Sequence, residues 1–168
     1  CMLPWQHIHA FPDGRAYPCC FSLDKYPVGD LNKDSMETVF NGTDMKQMRL
    51  NMLANKPSKQ CNKCYDQEKS GFFSLRLSSN KHFGHNIGMV ENTQADGSAD
   101  FVIKYWDIRF SNLCNLACRS CGTWFSSNWY EDHKKLTGKP PEHAKIMRVG
   151  RSSNDIWEQM LEQFEHVE

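Results

Sequence analysis

The order of apolar and polar residues near the start of the chain predicts a β-hairpin. Residues 7–11 alternate in character, a Pro-Asp-Gly turn follows, and residues 15–20 form a second short extended run. Turn residues between two alternating runs are typical of a hairpin. Pairing of the two runs would bring Cys1 close to Cys19 or Cys20.

Apolar residues at helical spacing predict two short helices after the hairpin. The first is expected to begin at Asp34 and Glu37, which occupy capping-box positions, and to end at Asn41 and Gly42. The second carries a stripe of apolar residues, which we interpret as core filling rather than as metal ligands. That stripe consists of Met45, Met48, Met52 and Leu53.

A second α/β pattern begins at residue 101 and continues to residue 168. Residues 105–110 predict a strand, because Trp106, Ile108 and Phe110 share one face. We expect an ion pair between Asp107 and Arg109 on the other face. Helices are predicted from about residue 123 to residue 136 and, with Ser152 and Asp155 as a capping pair, over 152–167. Residues 77–100 are rich in Gly, Ser and Asn and predict a linker.

Composition excludes several classes of partner. Charged residues make up 24% of the chain, with 20 basic and 20 acidic side chains interspersed. Membrane insertion is not expected, because no apolar run approaches the roughly 20 residues that span a bilayer. Nucleic-acid binding is not expected either, because no basic face stands out.

The cysteines occur in tight groups, which favours metal binding over disulfides. The chain has eight cysteines, among them the adjacent Cys19 and Cys20, the pair Cys61 and Cys64, and a trio between residues 114 and 121. A disulfide framework usually spaces its cysteines more widely. Thiol metal ligands imply a reducing compartment, so we expect a cytoplasmic protein.

The trio of Cys114, Cys118 and Cys121 directly follows the strand predicted over 105–110. Three thiolates from one loop can hold three corners of an iron-sulfur cube and leave the fourth iron open, whereas clusters with four cysteines are closed. Zinc fits this trio poorly, because the nearest downstream histidine, His133, lies on the helix beyond.

This Cys-x3-Cys-x2-Cys motif and its strand-loop-helix setting resemble the radical S-adenosylmethionine (radical SAM) enzymes. The resemblance implies that the trio binds a 4Fe-4S cluster whose free iron holds S-adenosylmethionine. Reductive cleavage of that cofactor would yield a 5'-deoxyadenosyl radical that abstracts a substrate hydrogen. Ser120 occupies the cofactor-binding position that is usually aromatic, so Trp124 or Phe125 would have to replace the packing near the adenine.

Residues 1–76 resemble the twitch domain, a shortened relative of the SPASM domain that binds auxiliary clusters in radical SAM enzymes. The matching residues begin with Cys1-x2-Pro-Trp and end with the group Glu68, Gly71, Ser74 and Arg76, with Arg49 between them. The resemblance implies a second 4Fe-4S cluster held by Cys1, Cys19, Cys61 and Cys64. Cys20 competes with Cys19 as a ligand of this cluster. A structural zinc site remains the alternative for this half, since Cys-x2-Cys is also a zinc knuckle to which His7 or His9 could contribute.

Together these patterns predict an α/β protein with three parts. A small cysteine-rich α+β auxiliary-cluster domain covers 1–76, a linker covers 77–100, and the first units of a partial (β/α) radical SAM barrel cover 101–168. A full barrel takes about 250 residues, so the chain is expected to be a fragment of a larger enzyme. The resemblance implies a peptide or protein substrate and a flavodoxin- or ferredoxin-type reductant. The alternatives are a noncatalytic zinc-binding scaffold and a two-cluster electron carrier.

Overall fold

A computed structural model describes residues 1–152 and 155–167. Four short strands form one mixed sheet: β1 (His7–Ala10), β2 (Arg15–Tyr17), β3 (Gly29–Asp30) and β4 (Tyr105–Ile108). The strand order is β3-β2-β1-β4. The fold is therefore mixed α/β, and a partial barrel stays a prediction.

The predicted hairpin is confirmed. β1 pairs antiparallel with β2, with His9 opposite Tyr17. The turn closes through a hydrogen bond from the Gly14 amide to the Phe11 carbonyl oxygen at 3.0 Å. Gly14 has a φ of +92°, a value that suits glycine in a tight turn.

The strand that precedes the cysteine trio joins this hairpin. β4 runs parallel to β1, and His7 to Ala10 stand in register with Tyr105 to Ile108. Parallel strands need a long crossover connection, and here residues 11–104 supply it. The two cysteine-bearing halves of the chain therefore share one sheet.

Helices cover both sides of this sheet and its ends. The helices are α1 (Met36–Phe40), α2 (Thr43–Leu53), α3 (Asn62–Lys69), α4 (Leu75–Phe83), α5 (Gly88–Glu91), α6 (Trp129–Thr137) and α7 (Asp155–Leu161). Short 3-10 turns occur at Leu3–Trp5, Lys59–Cys61, Gly84–Asn86 and Phe164–His166. The segment predicted as a linker thus carries α5, most of α4 and a 3-10 turn, and the division into three parts stays a prediction.

Several predicted boundaries differ from the structure. The N-cap of α1 is Ser35, whose hydroxyl accepts a hydrogen bond from the Thr38 amide, and not Asp34. The helix expected from residue 123 begins at Trp129, because residues 123–128 form turns against the cysteine loop. The last helix is shorter than predicted, although Ser152 does accept a hydrogen bond from the Asp155 amide at 3.1 Å. Residues 153 and 154, within that predicted range, lie outside the described residues.

The main core lies between the sheet and helices α1, α2 and α7. Ile8 and Phe40 are at most 1% exposed, and Ile156 and Met160 of α7 pack into the same cluster. The Gln159 side-chain oxygen also accepts a hydrogen bond from the Met36 amide. Only part of the apolar stripe of the last helix is therefore buried, since Trp157 and Leu161 are each 49% exposed.

Arg49 is the central polar residue of this core. It is 0% exposed, and its guanidinium donates to the carbonyl oxygens of Pro4, Phe40 and Gly97 and to the Asn41 side-chain oxygen. Burial lowers its pKa to about 10, and among the described residues no acidic side chain pairs with it. Arg49 thereby ties α2 to the N-terminal turn and to the loop before β4.

Candidate metal centres

The structure brings together the cysteines predicted to hold an auxiliary cluster. Cys1 precedes the first 3-10 turn, Cys19 follows β2, Cys61 ends the turn before α3, and Cys64 lies in the first turn of α3. Cys1 and Cys19 pack against the same small apolar cluster around Phe83. Cys64 is 6% exposed. Three separate segments, since Cys61 and Cys64 share one, therefore bring these partly buried thiols near enough for their charges to interact.

Burial and mutual proximity set the acidity of these thiols. Burial, helped by the neighbouring thiolate charges of Cys61, Cys20 and Cys64, raises the pKa of Cys19 to about 12. Burial, followed by the charge of Cys64, raises the pKa of Cys61 to about 11. Thiolates here need a compensating positive charge, and a metal centre supplies one when it binds.

The residues that carry the twitch resemblance after Cys64 form one connected group beside these thiols. Arg76 pairs with Glu68 through both carboxylate oxygens, with its Nε 2.9 Å from Oε1. Ser74 donates to the same carboxylate and caps α4 by accepting from the Leu77 amide. The charge of Arg76 favours the thiolate of Cys61. This group fixes α4 against α3 and places a cation near the cysteines.

Cys19 and Cys20 point into different surroundings. Cys19 is partly buried among the other thiols, whereas Cys20 is exposed. Burial raises the pKa of Cys20, and the charges of Asp107, Arg109 and Cys64 also act on its thiol. The arrangement favours Cys19 as the fourth member of the group and places Cys20 at its edge, toward β4.

The second cysteine group lies on an irregular loop after β4. Cys118 is exposed, while Cys114 and Cys121 are half-buried. The Leu116 amide lies 3.4 Å from the Cys114 sulfur and donates to it, and the Cys121 amide donates to the Cys118 carbonyl oxygen. Backbone amides that donate to a thiolate sulfur are a feature that tunes iron-sulfur clusters.

Hydrogen bonds from the next segment hold this loop in place. The Ser127 hydroxyl accepts from the Cys114 amide, and the Ser126 hydroxyl donates to the Leu116 carbonyl oxygen. The Trp129 indole donates to the Cys118 carbonyl oxygen at 3.1 Å. These contacts explain why residues 123–128 form turns instead of continuing α6 toward the loop.

Asn112 anchors the start of the same loop. It is 1% exposed, and its amide nitrogen donates to the carbonyl oxygens of Thr123 and Lys145. Its side-chain oxygen accepts from the Met147 amide at 2.8 Å. One buried side chain therefore joins three backbone segments around the cysteines, a role that the sequence gives no signal for.

The aromatic residues near the trio are already engaged with the hairpin. The Phe125 ring stacks on Phe11 at 5.7 Å, and Arg109 lies over its face. Trp124 packs against Arg15, with the guanidinium 5.0 Å from the ring centre. Ser120 lies exposed on a turn of the loop.

Two histidines that could have joined a zinc site have other partners. The Nδ1 of His7 lies 2.7 Å from the carbonyl oxygen of Tyr105, and the Nδ1 of His9 lies 2.8 Å from a carboxylate oxygen of Asp107. The expected pairing of Asp107 with Arg109 is wrong, since Asp107 pairs with His9. The imidazole of His9 holds the pKa of that carboxyl below its usual value.

The donor chemistry of both groups suits iron-sulfur clusters. Soft thiolates are the ligands that such clusters and zinc prefer. Within residues 1–152 and 155–167, no three His, Cys, Asp or Glu side chains converge on the position of a single ion. A cube binds each thiolate through a different iron, so its ligands surround a larger body than one ion does.

A comparison with protein families gives a match to the segment that carries the first of these groups. Residues 1–65 match the SPASM family, an iron-sulfur cluster-binding domain. The matched segment contains Cys1, Cys19, Cys61 and Cys64 and ends before the trio. It supports the predicted auxiliary iron-sulfur module, and domains of this kind are typical of radical SAM enzymes. No curated protein and no solved structure matches the chain.

The helices give one further result. In the part of the chain that the structure describes, none has the length and apolar character needed to cross a membrane.

Proposed function

We propose that this chain works within a radical SAM enzyme and carries two 4Fe-4S clusters. Cys1, Cys19, Cys61 and Cys64 would hold the auxiliary cluster. The match of residues 1–65 to an iron-sulfur cluster-binding domain carries this part of the proposal. The convergence of the same four thiols in the structure supports it.

Cys114, Cys118 and Cys121 would hold the second cluster and leave one iron for S-adenosylmethionine. When bound, that pair of cofactors would supply the reductive cleavage that starts radical chemistry. The chain's own contribution is to present the three thiols on a loop whose backbone is fixed by Asn112 and Trp129. The motif and this fixed loop support the proposal.

The proposal implies a peptide or protein substrate and a ferredoxin- or flavodoxin-type reductant in the cytoplasm. Leu113 and Leu116 flank Cys114 and are 59% and 58% exposed, so the trio lies at an open surface. An open surface suits both the entry of S-adenosylmethionine and the approach of a reductant.

Metal analysis of anaerobically reconstituted protein tests the proposal. Two cubes require about eight iron and eight sulfide per chain. Cys19→Ser should remove about half of that iron, whereas Cys20→Ser, the matched control, should retain it. Stoichiometric zinc without sulfide would instead support the zinc-binding scaffold and overturn the proposal.

Spectroscopy separates the enzyme from an electron carrier. Addition of S-adenosylmethionine should change the EPR spectrum of the reduced protein, and a variant with all three trio cysteines changed to alanine should lose that response. The protein would be an electron carrier if it holds two clusters but S-adenosylmethionine leaves its EPR spectrum unchanged and no 5'-deoxyadenosine forms under reducing conditions.

A further inference from the structure

A cavity of about 330 Å³ lies between helix α4 and the paired strands β1 and β4. His7, Tyr105 and Phe83 line it, together with Leu3, Leu75 and Cys20. None of the described residues that line it is Asp, Glu, Lys or Arg. Its volume is at the lower end of the range for ligand sites, so it suits a group the size of one side chain.

His7 presents a hydrogen-bond acceptor at this cavity. Its Nδ1 lies 2.7 Å from the Tyr105 carbonyl oxygen, and a carbonyl can only accept, so Nδ1 carries the proton. Burial lowers the pKa of His7 to about 4, which keeps the ring neutral at pH 7. The Nε2 atom is therefore a lone-pair acceptor, and His7 is 1% exposed.

The structure describes one hydrogen bond of this imidazole, the one through Nδ1. Nε2 is not among the fully buried side-chain atoms that lack a partner, so solvent reaches it through the cavity that His7 lines. A ligand inside the cavity can replace that solvent and donate to Nε2.

The cavity walls favour a flat aromatic ligand. The rings of His7 and Tyr105 stack at 4.5 Å with an interplanar angle of 15°, and Phe83 lies 5.9 Å from Tyr105. Aromatic rings add stabilisation when they stack with an offset or edge to face. Ser78 contributes a hydroxyl that can donate to a ligand oxygen.

We propose that this cavity binds the phenol of a tyrosyl side chain in a peptide, whose hydroxyl donates to Nε2 of His7. A phenol oxygen both donates and accepts, which matches His7 and Ser78 together, whereas an indole nitrogen only donates. The uncharged lining favours a residue within a peptide over free tyrosine, whose ammonium and carboxylate would find no opposite charge there. As a substrate site the cavity depends on the proposed function, but the binding itself does not.

Calorimetry with blocked amino acids tests this inference on the full, cluster-loaded chain. N-acetyl-L-tyrosinamide should bind about tenfold more tightly than N-acetyl-L-phenylalaninamide, because one hydrogen bond to the buried acceptor is worth roughly 1.4 kcal/mol. Free L-tyrosine should bind more weakly than the blocked amide. N-acetyl-L-tryptophanamide, whose indole donates but cannot accept, should also bind more weakly.

Two variants locate the binding in this cavity. His7→Phe retains an aromatic ring but removes the acceptor, so the preference for tyrosine over phenylalanine should disappear. His133→Phe on α6 is the matched control and should retain the preference. Ser78→Trp leaves His7 intact, fills the cavity from the exposed side of α4 and should abolish binding.

Equal affinity for the tyrosine and phenylalanine amides, preference for tryptophanamide, tighter binding of free tyrosine, or no binding would each overturn the inference. A chain that holds two clusters and responds to S-adenosylmethionine but binds no phenol would overturn this inference alone. A chain that binds the phenol but holds zinc would overturn only the proposed function.

Discussion

His9 and Asp107 face each other across the parallel ladder between β1 and β4, with Nδ1 2.8 Å from Oδ2. The His9 side chain is 2% exposed and that of Asp107 is 24% exposed. The contact therefore lies mostly out of water, where removing one member leaves the other poorly compensated. It joins the hairpin to the strand that leads into the Cys114 loop.

Asp107→Asn should destabilise the protein by about 1–3 kcal/mol at pH 7, since a hydrogen bond to a charged group is worth that much. The folded-state pKa of Asp107 is lowered, so its contribution is fully present above the unfolded value of about 3.9. The contribution is lost as the pH falls through the folded-state pKa. Urea unfolding of wild type and Asp107→Asn at several pH values measures this contribution to the free energy of unfolding.

The matched control is Asp132→Asn, because Asp132 is half-exposed and lies 3.6 Å from Lys135 on the surface of α6. Its effect should stay within about 0.5 kcal/mol. A difference between Asp107→Asn and wild type that persists unchanged down to pH 2 would contradict the assigned contact between His9 and the Asp107 carboxylate.

Arg49→Met should destabilise the protein by about 3 kcal/mol or more. The substitution preserves much of the buried volume but leaves the oxygens of Pro4, Phe40 and Gly97 without their donor. Lys46→Met, on the same helix, removes a partly exposed ion pair with Asp96 and should cost less than about 1 kcal/mol. Similar urea midpoints for the two variants would show that Arg49 is not the central polar residue of the core.

Gly97→Ala should destabilise the protein by about 2–4 kcal/mol. Gly97 has a φ of +86°, and a Cβ atom there would lie 2.4 Å from the Lys46 carbonyl oxygen. The backbone of α2 or the loop before β4 would have to move. Gly84→Ala is the control, because its Cβ would meet nothing within 4 Å, and its thermal unfolding temperature should equal or exceed that of wild type.

Asn112→Ala should remove the cluster of the trio and retain the auxiliary cluster. The loss of three hydrogen bonds to backbone groups, about 2–3 kcal/mol, releases the loop that carries Cys114. Iron and sulfide should then fall by about half. Asn128→Ala, which loses one long hydrogen bond of 3.4 Å, should keep full iron. Equal iron loss in both variants would assign no special role to Asn112.

Local features of the fold could be predicted from the sequence. The hairpin followed from alternation and a Pro-Asp-Gly turn, and the SPASM match supports the auxiliary module that the pattern from Cys1 to Cys64 indicated. These signals depend on neighbouring residues, so a single sequence carries them. The placement of the trio on a loop after a strand was also predictable, because Cys114 follows β4 closely.

Long-range partners could not be predicted in the same way. Nothing in the sequence pairs His9 with Asp107, because Arg109 offers a nearer opposite charge and strand order is set by the whole sheet. The segment 77–100 was expected to be a linker from its Gly, Ser and Asn content. The Ser74 cap at its start and the burial of Phe83 at its end stabilise helix α4 despite that composition.

The β1–β4 ladder also fixes an order of events during folding. The contact between His7 and Tyr105 joins residues 98 positions apart, so closing it carries a large loop entropy. The hairpin needs only nearby partners and can form while the later chain is still being synthesised, whereas α1 and α2 also contact Gln159 and Gly97. The edge of β1 that pairs with β4 therefore stays unpaired until β4 has been synthesised. Docking of β4 is expected to be the slow step that completes the sheet.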